Sequence, residues 1–74
     1  MLTFNHSFLE GLRDKKQWSR RDVVFKLYDR GLRISVQTIQ NWESGKSEPS
    51  ADELGYLADL YKVSISSFMK VDGK

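Results

Sequence analysis

The chain has no cysteine, a single proline and a single histidine in 74 residues. Without cysteine there are no disulfide staples, no thiolate zinc ligands and no thiol nucleophile. So small a domain without staples fits a reducing compartment, and a cytoplasmic location is expected. His6 has no cysteine or spaced acidic cluster to work with, so neither a metal site nor a histidine-based catalytic group can be assembled. It is expected as an exposed N-terminal residue. Glycine-rich phosphate loops are absent too. The acids Asp52, Glu53 and Asp59 suit capping and a solvated face rather than acid–base work. An enzyme is therefore not expected, nor a metal or cofactor. No apolar run approaches the length of a membrane span, and MLTFNHSFLEG lacks the basic start and apolar centre of a signal peptide, so no membrane partner is expected.

What is present is one modest core and an uneven charge. A chain this short buries only ~60% of the surface its unfolded form exposes, so its stability margin is small. The net charge is +2. Residues 1–46 hold nine Lys/Arg against five acids, whereas residues 47–74 hold three against five. A basic first part and an acidic second part suggest one cationic face and a polyanionic partner.

Start and stop signals divide the chain into five short helices, with no convincing strand, repeat or low-complexity segment. Ser7 in SFLE opens the first through a capping box, and Phe8, Leu9 and Leu12 supply its apolar side. Ser19 opens the second; Val23, Val24, Leu27 and Tyr28 form its buried stripe and Gly31 stops it. Ser35 caps a third helix ending near Ser44, before Gly45. Ser50 caps a fourth with Glu53 closing the box, its inner stripe being Leu54, Leu57, Ala58 and Tyr61. Ser64 begins a short fifth helix with Ile65 and Phe68 inward. Residues 1–70 form one domain, and 71–74 are expected to be a frayed tail. The short connections suit a compact, all-α domain.

The third helix, SVQTIQNWESGK, carries a face that ordinary solvation does not explain. Ile39, Trp42 and the stem of Glu43 recur at steps of three and four, while Gln37, Gln40, Asn41 and Ser44 fall on the other side. A merely wet face would be expected to carry Lys and Glu. Amides are poorer helix formers, but they hold paired donors and acceptors. Trp42 is expected in the core.

Several motifs in register, Trp42-Glu43-Ser44-Gly45-Lys46, Pro49-Ser50, Leu57-Ala58 and Val63-Ser64, follow the segment SRRDVVFKL. Together they resemble the phage-repressor and Cro-type (XRE-like) helix-turn-helix family over about residues 9–68. The resemblance implies a lambda-repressor-like fold whose third helix enters the major groove of double-stranded DNA. By matching positions it makes Val36, Gln37, Thr38 and Asn41 base readers, with Gln40 at the flank. Gln and Asn can offer a donor and an acceptor to adenine, and Val36 or Thr38 a methyl group to thymine. It also implies phosphate contacts from Arg20 at the scaffold-helix start, from Ser35, and from Ser44, Lys46, Ser47 and the backbone of 45–47. Arg21, Arg33 and Lys16 are further candidates. Arg13 and Glu43 match a largely buried salt bridge between the first and third helices.

YDRGLR departs from the family pattern, adding about five residues between Leu27 and Ile34. An extra helical turn ending at Gly31, then a short loop, accounts for them and brings Arg30 and Arg33 near the groove. Phe25 points away from the buried stripe, and Tyr56 and Leu60 form an apolar pair outside the fourth helix's inner face. Because similar proteins dimerise through their last helices, a homodimer using Leu60, Ile65, Phe68 and Met69 is expected. The functional expectation is a sequence-specific transcriptional repressor occupying a DNA operator, nucleoid-associated when bound. Alternatives are an antitoxin-like DNA-binding protein with a toxin or antirepressor partner, the N-terminal fragment of a longer repressor, and a protein-interaction module that has lost DNA binding.

Overall fold

A side-chain oxygen caps the first turn of each α-helix in the computed structural model, which describes residues 1–71. Ser19 opens α2 (Arg20–Asp29), Ser35 opens α3 (Val36–Ser44) and Ser50 opens α4 (Ala51–Tyr61); each accepts from the N–H three residues on. Asp22 and Glu53 return the contact to the N–H of Ser19 and Ser50, so two otherwise orphaned donors are satisfied at each of those ends. The first helix, α1 (His6–Lys16), begins two residues before the start that SFLE suggests. Its cap is Asn5, whose Oδ1 accepts from Phe8 N–H at 3.2 Å. The reason is tertiary. Asn5 N–H donates to the Phe68 carbonyl at 2.6 Å, which pins Asn5 at the helix entrance and leaves Ser7 exposed in the first turn.

Eight of the eleven core side chains come from α2, α3 and the second half of α4: Val23, Leu27, Ile39, Trp42, Leu57, Ala58, Leu60 and Tyr61, joined by Phe4, Leu9 and Phe68. Three placements differ from the helical stripes, among them Ile65, expected inward but 48% exposed. Tyr28 lies 57% exposed, because Val23 and Leu27 centre the buried face of α2 and Tyr28 falls beyond its edge. Leu60 is 6% exposed and belongs to the core, because α4 is covered both by α2 and by the C-terminal turn, which widens its buried face.

The extra residues after α2 are a built turn. Leu32 N–H donates to the Leu27 carbonyl and Gly31 N–H to that of Tyr28, both at 3.0 Å, with Gly31 at φ +102°. This pairing closes the helix end, and Leu32 packs back on the core. The helix itself ends at Asp29, slightly before the expected stop.

The C-terminal segment is where the expected fold is corrected. Residues Ile65–Phe68 form a 3₁₀ turn, not a fifth α-helix, and Met69–Val71 (β2) pairs antiparallel with Leu2–Phe4 (β1). The described residues thus hold four α-helices and a two-stranded ribbon. Phe68 is the hinge of this arrangement: fully buried, with its ring 5.5 Å from Phe8 edge-on and 6.1 Å from Phe4. Val71, expected in a frayed tail, pairs with Leu2; the rest of that expectation, residues 72–74, lies outside the described residues.

Candidate nucleic-acid interface

Helix α3 is held by three side chains from one face: Ile39 and Trp42 in the core, and Glu43, whose side chain is only 2% exposed. A buried carboxylate near a helix C-terminus is unfavourable both by desolvation and by the sign of the helix dipole. Two arginines compensate it. Arg13 of α1 donates from Nε to Glu43 Oε2 at 2.7 Å and from Nη2 to Oε1 at 3.1 Å, a two-pronged contact. Its Nη1 donates to the Trp18 carbonyl at 3.0 Å. Arg20, at the start of α2, donates from Nε to Glu43 Oε1 at 3.0 Å. One carboxylate therefore ties α1, α2 and α3 together. The hydrogen bond to Glu43 holds the Arg13 guanidinium above its ordinary pKa. Nearby, burial pushes the Tyr61 phenol well up, with the Glu43 charge adding to it.

The opposite face of α3 is open. Val36, Gln37, Gln40 and Ser44 are exposed, and Thr38 and Asn41 half-buried. Their polar groups already bond one another. Gln37 Nε2 donates to Asn41 Oδ1 at 3.0 Å, one helical turn on, and Thr38 Oγ1 lies 3.0 Å from the capping Ser35 Oγ. Gln37 Oε1 and Asn41 Nδ2 remain outside that pair, so together they offer one acceptor and one donor on successive turns. Gln40 has no such partner among the described residues.

The proposed anchors divide. Ser35 spends its hydroxyl on the cap, accepting from Thr38 N–H at 3.1 Å. After α3, the backbone donors of Gly45, Lys46 and Ser47 all turn inward onto the Asn41 carbonyl, which also accepts from Ser44 Oγ at 3.3 Å. The 45–47 backbone donors are thus engaged within the fold in this structure. The Lys46 and Ser47 side chains stay exposed. Arg33 lies over the Tyr28 ring at 5.7 Å. Arg30 is engaged with Asp59 at 3.0 Å, so it is tied to α4. Lys16 lies 5.9 Å from the Trp18 ring centroid. Arg21 is exposed.

A helix-turn-helix family model matches residues 9–68, spanning α1 through the 3₁₀ turn. The chain belongs to the repressor and Cro-type helix-turn-helix family. No curated protein matches it. As a helix-turn-helix protein it is a DNA-binding regulator. No helix among the described residues is long and apolar enough to cross a membrane.

Three residues of this helix-turn-helix domain have contacts that the sequence does not display. His6 is half-buried, not an exposed terminal residue: its Nδ1 lies 3.2 Å from the Glu43 carbonyl and its ring packs on Gly45. Trp18 carries no local signal of its role, yet its carbonyl accepts from Arg13, Tyr61 packs on its ring at 5.7 Å, and Lys26 Nζ sits 4.5 Å above it. Arg20, expected at a phosphate, also donates to Glu43. Of the four expected dimer residues, Leu60 and Phe68 are core side chains that a partner cannot reach. Ile65 is exposed and Met69 half-buried.

Proposed function

We propose that the protein is a sequence-specific transcriptional repressor that occupies an operator by laying α3 in the major groove. The observation that carries this reading is the division of α3: Ile39, Trp42 and Glu43 are locked inward, while a face of Val36, Gln37, Thr38, Gln40 and Asn41 is turned outward. A helix anchored on one side with hydrogen-bonding amides on the other can dock without unfolding any of its packing. Gln37 and Asn41 must exchange one exposed mutual hydrogen bond for contacts to base edges, a modest cost because such a bond contributes only ~0.5–1.5 kcal/mol net. Arg20, Arg21, Arg33, Lys46 and the Ser47 hydroxyl would position the duplex through phosphates, and the exposed amides would choose the sequence.

Two copies reading half-sites one helical turn apart would complete an operator-binding unit, with Ile65 and Met69 left from the expected interface. Selection of bound sites from a random duplex pool tests the proposal: a recurring motif supports it, and recovery of sequences without any motif refutes sequence-specific reading. Sedimentation with and without the selected site tests the dimer, and a 1:1 complex on a palindromic site counts against it.

A further inference from the structure

The two arginines on Glu43 are not spent alike. Arg13 uses Nε, Nη1 and Nη2 within the fold, and its side chain is 11% exposed. Arg20 uses only Nε, no hydrogen bond among the described residues engages either of its Nη atoms, and its side chain is 36% exposed. A guanidinium is planar and rigid, so a bond at Nε dictates where the other edge points. We infer that Glu43 is a positioning residue for DNA, which grips the inner edge of Arg20 and presents its outer Nη edge to a backbone phosphate. This rests on the reading of the chain as an operator-binding protein, and it adds how the phosphate anchor and the recognition helix are made one unit.

The chemistry favours this division. Glu43 Oε1 accepts from both arginines; the exposed Asp14 carboxylate lies 3.7 Å from Arg13 Nη2, whereas Glu43 is the one carboxylate within salt-bridge distance of Arg20 among the described residues. Arg13 compensates the buried carboxylate from within, which leaves the surplus cation on the accessible member. The paired N–H groups of an arginine fork match two phosphate oxygens, and a contact of this type is stronger and more directional than a lysine point charge. Because the same carboxylate belongs to α3, a phosphate held by Arg20 sits in a fixed relation to the amide face. A flexible cation could not give that register.

Binding of a mixed-sequence DNA duplex, measured by fluorescence anisotropy over a salt series, tests this with Arg20→Lys, Arg20→Ala and Lys70→Arg. Lysine keeps the charge but cannot serve Glu43 and a phosphate from two edges. Arg20→Lys is expected to bind roughly tenfold more weakly, the loss of about one charge-assisted hydrogen bond. Lys70→Arg, at an exposed position of β2, should change binding less than about twofold, and Arg20→Ala should also flatten the salt slope by about one unit. Arg20→Lys binding as tightly as the wild type overturns the inference while leaving the operator reading intact; a wild-type chain that ignores duplex DNA in dilute buffer overturns both. A second readout needs no variant. In NMR of the free protein the Arg20 Nε–H should exchange slowly with solvent and stay protected on adding duplex, while the Nη signals shift. Exchange as fast as that of Arg21 overturns the Glu43 grip.

Discussion

Replacing Arg13 with methionine strips Glu43 Oε2 of its one donor, the 2.7 Å contact from Nε, and removes one of the two donors on Oε1. It also leaves the Trp18 carbonyl without its side-chain partner. The carboxylate remains 2% exposed with Arg20 Nε alone to compensate it. Breaking a buried pair by deleting one member costs about 3–5 kcal/mol, since an uncompensated charge is left behind. The whole stability of a domain of 74 residues is only about 4–11 kcal/mol at typical values per residue. Urea unfolding followed by tryptophan fluorescence, at a slope of about 1 kcal/mol/M, should therefore show a midpoint lowered by roughly 3 M or more. The diagnostic variant is the double one. With Glu43→Leu added, the stranded charge disappears, and the one-third-exposed Arg20 returns to water at little cost. The double variant is expected to be more stable than Arg13→Met alone by about 2 kcal/mol or more. If it is no better, the penalty lies in lost packing around Arg13, and the electrostatic account of the cluster is refuted.

Three further outcomes check other parts of the structure. Gln37→Ala should weaken the selected operator by about 1–3 kcal/mol and leave mixed-sequence binding unchanged, as read from the difference between the two titrations. Gly45→Ala should cost about 1–3 kcal/mol in urea unfolding, because φ is +84° and the new Cβ would lie 3.1 Å from the His6 ring. Tyr61 has a folded-state pKa above its unfolded value of about 10, with burial as the first cause. Its stabilising contribution is fully present below pH ~10 and is lost as the pH rises toward the folded value. Tyr61→Phe should accordingly flatten the decline of stability between about pH 10 and 12, and an unchanged decline refutes the assignment.

Much of this domain was legible as a string of residues. Ser19, Ser35 and Ser50 mark helix starts because capping is a bond between neighbours, and neighbours are what a sequence displays. The inward set Ile39, Trp42 and Glu43 follows from a period of 3.6, and the family match over residues 9–68 agrees with the motifs read in that order. Local rules failed where distant segments met. SFLE is a sound capping box in isolation, yet Asn5 prevails because Phe68 holds it. Three-residue strands are too short to show alternation, so the Leu2–Phe4 and Met69–Val71 pairing left no trace.

The sequence by itself determined the capped starts of α2, α3 and α4, the family and the side of α3 that turns outward, because each depends on residues within a turn or two. Only the tertiary structure decided that Leu60 is core, that His6 rests on the end of α3, and that Glu43 is shared between Arg13 and Arg20. Those contacts join residues more than twenty positions apart. Their existence depends on how the helices pack, and no local pattern encodes that.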